Sequence, residues 1–194
     1  MKEKELKGIP FVGIDDYKAA FELVKDAKKE LFVNHKNKIY SAILGGIEFT
    51  ENSKDRVRGA KDALCESPKI EIVSISYGNW EIEEGYLKAE DIFKKNPYVQ
   101  FVFSANDMMA LGVLKYLENY SIKNVTVVSF NGIDEMKSLI NNGQLYSTVD
   151  VNAEKQGFEG VRKAVSMVND GKNANDQLVE YSFTKKINFD ENND

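Results

Sequence analysis

The sequence predicts an α/β fold, a parallel sheet with helices on both sides. Short apolar runs without helical period alternate with segments whose apolar residues recur every three or four positions. No stretch rich in Pro, Gly or Ser divides the chain, and 194 residues suffice for one well-buried domain. A hydrophobic content of 42% and a charged content of 29% fit an ordinary globular protein.

In chain order, "IPFVGID" (9–15) reads as a strand, and the helix from about Tyr17 to Leu31 aligns Ala20, Phe21, Val24 and Ala27. "IYSAILGG" (39–46) is a strand, followed by a helix over 53–65 carrying Val57, Ala60 and Leu64. "IEIVSISY" (70–77) precedes a helix over 81–95 with Gly85, Leu87, Ile92 and Phe93 inward. "VQFVFSA" (99–105) leads into a helix whose Met108, Leu111, Leu114 and Leu117 predict a buried face. Here Asp107 is read as the cap of the helix's first turn, which leaves Asn106 free for a ligand. "NVTVVSFN" (124–131) precedes a helix from Ile133 to Asn141, and "LYSTVDV" (145–151) a last helix over 153–169. The stretch 177–189 reads as one final extended segment, and the acidic tail "DENND" as disordered.

Composition narrows the function. A net charge of −5 and a pI near 5.2 argue against a nucleic-acid surface. Cys65 is the one cysteine and His35 the one histidine, so a disulfide framework and a Cys/His metal set are both excluded. Cys65 reads as a small apolar helix residue and His35 as a surface residue. A nucleophile with its base has no promising members, so no catalytic residue is assigned. "LGGIEFTEN" (44–52) lacks phosphate-loop spacing and puts Glu48 where phosphate charge would lie, and the tail lacks the glycine of a calcium loop. No cofactor or metal is expected. "MKEKELKG" has no apolar signal stretch and no segment reaches membrane-spanning length, so the chain as written is expected to stay in the cytoplasm.

Several strands end in residues the sheet does not need. Tyr77-Gly78-Asn79-Trp80 follows the third strand, Asn106 the fourth and Asn131 the fifth, with Asp150 near the end of the sixth. Carboxyl ends of neighbouring parallel strands share one edge, so these side chains converge. Amides that both donate and accept, beside one aromatic platform, suit a neutral polyhydroxy ligand such as a sugar. The competing readings are core packing for Trp80 and a plain turn for Asn131, which precedes Gly132.

"VFSANDMMALGVLKYL", "VTVVSFNGIDEMKSLINNGQLYSTVDVNAEKQG", "FVGIDDYKAA" and "ILGG…RVRGAKDAL" together resemble the type 1 periplasmic binding proteins that bind sugars such as ribose and galactose. LacI-type regulators share that fold in their ligand-binding domains. The resemblance implies a three-layer α/β/α doubly wound parallel sheet, mainly one lobe of a two-lobed protein that closes on a monosaccharide. It implies stacking by Trp80 and hydroxyl contacts by Asn106 and Asn131, with Asn131 standing where the family usually has Asp. Lys54 stands where an Arg often reaches the ligand, with Arg56 as the alternative, and Val151 replaces a usual Gln or Asn. Residues 16–151 correspond to the second lobe, 1–15 and 152–176 to remnants of the first, and 177–194 to a final strand and acidic tail.

The resemblance further implies a non-catalytic solute-binding role beside an ABC transporter permease or sensor kinase, in a parent protein outside the cytoplasmic membrane. About the first hundred residues of such a chain have no counterpart, the size of a small domain. The stripe Phe158, Val161, Val165 and Val168 then lacks its home sheet, which predicts a homodimer through Phe158, Val161 and Val165. The other expectation, in a different class, is an interaction domain acting by protein contact with vestigial ligand binding.

Overall fold

Strands built from Val, Ile and Phe without a polar face must be covered on both sides, and the helices between them supply that cover. The computed structural model describes residues 9–34, 37–170 and 175–185. His35, the leading "MKEKELKG", residues 186–189 and the acidic tail fall outside the described residues. The elements are β1 (Val12–Gly13), α1 (Asp16–Asn34), β2 (Ile39–Gly45), α2 (Glu51–Cys65), β3 (Ile70–Tyr77), α3 (Ile82–Lys95) and β4 (Val99–Ser104). Then come α4 (Asp107–Asn119), β5 (Thr126–Asn131), α5 (Asp134–Asn141), β6 (Ser147–Asp150), α6 (Ala153–Asp170), β7 (Gln177–Leu178) and β8 (Ser182–Lys185).

Six strands form the main sheet in the order β3-β2-β4-β5-β6-β8, while β1 and β7 pair in parallel as a separate two-stranded sheet. The first five main strands are parallel, and β8 runs antiparallel to β6, with Asp150 opposite Ser182. This corrects the single final stretch. Residues 177–178 pair with β1, the chain crosses at the buried Val179, and 182–185 close the edge of the main sheet. An antiparallel edge needs no crossover helix, so a short connection suffices.

Helices α1 and α2 pack against each other, as do α3 and α4. Each pair is drawn close by glycine. A Cβ on Gly59 would lie 2.3 Å from the Tyr17 carbonyl oxygen, and one on Gly112 would lie 2.1 Å from that of Ile82. Of the expected α4 stripe, Leu114 and Leu117 are buried and Leu111 is half-buried against the core, but Met108 is exposed, and Met109, Ala110 and Val113 are buried in addition. A spacing of three drifts around a helix of 3.6 residues per turn, so the buried face alternates steps of three and four and leaves Met108 outside it. Leu87 is likewise exposed, with α3 presenting Gly85, Ala89, Ile92 and Phe93 inward. Cys65 is exposed at the last position of α2, one residue beyond the buried Leu64.

On α6, Phe158 is 66%, Val161 67% and Val165 53% exposed. Phe11 and Leu178, on and beside the small sheet, are exposed as well. Among the described residues, no helix is long and apolar enough to cross a membrane.

Candidate ligand-binding site

The strand order contains a switch point. From β2 the chain goes to β3 on one side, then returns to β4 on the other, so the loops after β2 and β4 diverge and leave a crevice at their carboxyl ends. The Ala105 amide donates to the Leu44 carbonyl at 2.8 Å and closes the floor of that crevice.

Arg56 occupies it. Its side chain reaches from α2 to α1, to the turn between β4 and α4 and to β5, and is nearly buried, at 8% exposure for the residue. Nε donates to the Asp16 carboxylate at 2.7 Å, and Nη1 donates to the Ala105 carbonyl at 2.8 Å and to Asn131 Oδ1 at 3.0 Å. The guanidinium lies 3.9 Å from the Phe130 ring centre and 5.7 Å from that of Trp80. Among the described residues nothing accepts from Nη2. Burial pushes the Arg56 guanidinium down and the Asp16 carboxyl up, each opposed by attraction to the other. Such a pair contributes little net stability, but it fixes a planar donor with a proton to spare against an aromatic wall.

Trp80 follows β3 with φ of 70°, after Asn79 at 51°. A bulky residue in the left-handed region is unusual and marks a turn held by its surroundings. The indole lies over Gly46, after β2, where a Cβ would fall 2.2 Å from the ring. The ring is therefore seated on bare backbone and remains partly exposed.

Asn131 ends β5 with φ of 119°, and Gly132 follows at 73°. Asn131 does stand in a turn, and its strained backbone presents the amide oxygen to Arg56. Asp150 lies opposite Asn131 in the β5–β6 register, and its carboxylate accepts from the Asn152 amide at 2.8 Å. It serves its own turn beside the site. Val151 is half-buried against the core.

The helix cap expected of Asp107 falls to its neighbour Asn106. Asn106 is the N-cap of α4: Oδ1 accepts from the Met109 amide at 2.9 Å, and Nδ2 donates to the Trp80 carbonyl at 3.0 Å. The short side chain of an Asn or Asp reaches the N3 amide when it stands at the cap, whereas Asp107, one residue later, already lies inside the helix. Asp107 is fully buried instead. It accepts from Ser129 Oγ at 2.5 Å, Thr148 Oγ1 at 2.7 Å and the Ile133 amide at 2.9 Å. At 5% exposure Asn106 has one amide proton and one lone pair left, at the inner rim of the site.

Lys54 is directed elsewhere. Its Nζ donates to Glu51 at 2.8 Å on the solvent side of α2, and it lines a separate groove with Ile75 and Tyr77. The fold thus brings together Trp80, Arg56, Asn131 and Asn106, leaves Asp150 beside them and places Lys54 apart.

The periplasmic binding protein domain matches residues 3–173. The chain belongs to this family. The D-ribose/D-allose-binding protein of Pseudomonas aeruginosa is 32% identical over 162 residues, which cover 83% of this chain and 49% of that protein. The D-apiose import binding protein of Actinobacillus succinogenes is 30% identical over 151 residues, 74% of this chain and 49% of the relative. The chain thus spans about half the length of the curated relatives it matches. A solute-binding protein from Actinobacillus succinogenes with bound D-allose superposes with a TM-score of 0.86 at 27% identity, covering 95% of this chain and 64% of that one.

As a periplasmic binding protein domain, the chain bears out the expected fold: α/β, with helices on both faces of a mostly parallel sheet. Sequence reasoning missed Asp16, Phe130 and Gly46. The Gly45-Gly46 pair ending a strand was the available signal for Gly46, since glycine there marks close approach of another group. Asp16 gave none, because a carboxylate in a first helical turn is ordinary.

Proposed function

We propose that this chain is the second, ligand-binding lobe of a non-catalytic sugar-binding protein, the solute-binding component of an ABC sugar transporter or sugar-sensing system. The carrying observation is the set at the switch point, the Arg56 guanidinium against the Phe130 ring and near that of Trp80, with the Asn131 oxygen alongside. An indole face packs on the C–H face of a sugar ring, and a guanidinium proton with a nearby amide satisfies hydroxyls. Sugar binding by the named relatives supports this reading. The residues we assign to contact are Trp80, Arg56 and Asn131, with Asn106 at the rim, Asp150 flanking and Lys54 outside. The parent protein works outside the cytoplasmic membrane, with a permease or sensor kinase as partner.

Residues 16–151 form the second lobe in this reading, and β1, α6 and β7 belong with the first. The exposed Phe158, Val161 and Val165 favour a second role, contact with another protein surface, most simply a second copy of this chain.

The test titrates the chain with D-ribose, D-allose, D-galactose and myo-inositol, reading heat and the emission of its single tryptophan. We expect a saturable response to at least one sugar, weakened at least tenfold in Trp80→Ala; stacking contributes about 0.5–1.5 kcal/mol beyond area burial, to which the area term adds. A folded chain that responds to none of these at millimolar concentration overturns the reading in favour of the interaction domain.

A further inference from the structure

Asp107 is a buried carboxylate that hydrogen-bonds to neither Trp80 nor Arg56, though its charge attracts the Arg56 guanidinium, and its partners surround the turn that presents Asn131. It accepts from Ser129 on β5, from Thr148 on β6 and from the Ile133 amide just past the turn. Thr148 Oγ1 in turn lies 3.3 Å from the Gly132 amide, which donates to it. The Gly132 amide also acts directly on the Asp107 carboxyl, pulling its pKa down. Asn131 therefore stands immediately before two amides fastened to one carboxylate, directly or through one hydroxyl.

The opposite end of the same segment is also tied. The Ala105 carbonyl, two residues before Asp107, accepts from the Arg56 Nη1 that bonds Asn131. Between them Asn106 holds the Trp80 carbonyl. Residues 105–107 thus grip, in order, the guanidinium, the aromatic turn and the amide turn. Asn131 at φ of 119° and Trp80 at 70° would not keep these conformations unaided, since strained backbone persists only where its surroundings fix it.

We propose that Asp107 is a positioning residue for ligand binding, holding the Asn131–Ile133 turn so that the Asn131 oxygen meets Arg56, as Asn106 holds the Trp80 turn. Its relevance to sugar rests on the reading above, whereas the positioning itself is a property of the unliganded chain. Removing the carboxylate frees the turn and lets Asn131 relax away from Arg56, while β5 and β6 keep their ladder bonds.

The test is amide hydrogen exchange of the chain by NMR, for Asp107→Asn beside Ser129→Ala. Ser129 bonds the same carboxylate from within β5, and its hydroxyl donates to that carboxylate rather than to the turn, so its variant reports the purely structural cost. In Asp107→Asn the Gly132 and Ile133 amides should exchange at least tenfold faster than accounted for by the change at Val128 and Phe103, and in Ser129→Ala they should follow those core amides. If Asp107→Asn does not fold, Thr148→Val removes the hydroxyl between carboxylate and Gly132, and selective loss of protection at Gly132 is expected. Turn amides that track the core in the folded variant overturn the proposal. A D-ribose or D-allose titration gives the second readout: where the unaltered chain binds, Asp107→Asn should bind at least tenfold more weakly, and equal affinity overturns the proposal. An unaltered chain that binds no sugar counts against the sugar reading, and the exchange result then decides the positioning alone.

Discussion

The Trp80 indole rests on Gly46, so near that any Cβ at position 46 would fall 2.2 Å from the ring. Two turns from different strands, β2 and β3, therefore share one contact, and glycine is a requirement of the aromatic platform. Gly46→Val should push the indole off its seat into solvent. With one tryptophan in the chain, the emission maximum reports this directly, and a red shift is expected. An unchanged maximum would mean that the loop, not the ring, gives way.

Arg56→Ala leaves the Asp16 carboxylate without its partner and the Asn131 oxygen and Ala105 carbonyl without a donor. Removing one member of a buried pair costs about 3–5 kcal/mol. Urea unfolding should show a loss of that order, and Arg56→Lys should recover only part of it, because a single ammonium cannot reach three acceptors in a plane.

Burial raises the Asp107 carboxyl above its ordinary 3.8, against hydrogen bonds from Ser129, Ile133 and Thr148 that pull it down. Folding thus favours the protonated form. The associated stability is fully present below the unfolded value and is lost as pH rises through the folded one. The stability of the unaltered chain minus that of Asp107→Asn should therefore increase between about pH 7 and about pH 4, as read from urea midpoints at the two values. A difference that shrinks on acidification would place the folded pKa below the unfolded one.

The α6 face should govern self-association. Phe158, Val161 and Val165 present apolar surface on successive turns, and charge there removes the gain from covering it. By light scattering at micromolar concentration the chain should be a dimer, and Val161→Lys with Val165→Lys should be a monomer. A monomeric unaltered chain would refute the contact.

Much of the fold was legible because alternation survives local noise. The strand over 70–77 matches to the residue, and α2, α3 and α5 fall within about two positions of expectation. Faces were harder to read, since Met108 and Leu87 are apolar yet exposed, and only packing distinguishes them from Met109 and Ala89. The site was legible as an edge and not as a set of bonds. Trp80 and Asn131 were placed by strand order alone, but the choice between Lys54 and Arg56 turned on which cation lies on the inner side of α2. A single residue of offset likewise decided that Asn106 caps the helix and Asp107 is buried. The stretch 177–189 misled because extended backbone carries no mark of which sheet it joins.

The chain passes between the small sheet and the main body three times: at residues 14–15, 151–152 and 179–181. A single crossing would be a swivel, free in torsion as well as in flexion. Ile14 and Val179 are buried and Val151 is half-buried, so each of the three crossings is anchored by an apolar side chain. Three anchored crossings tie β1, β7 and α6 to the main sheet at three points, so the small sheet cannot turn about any one connection alone.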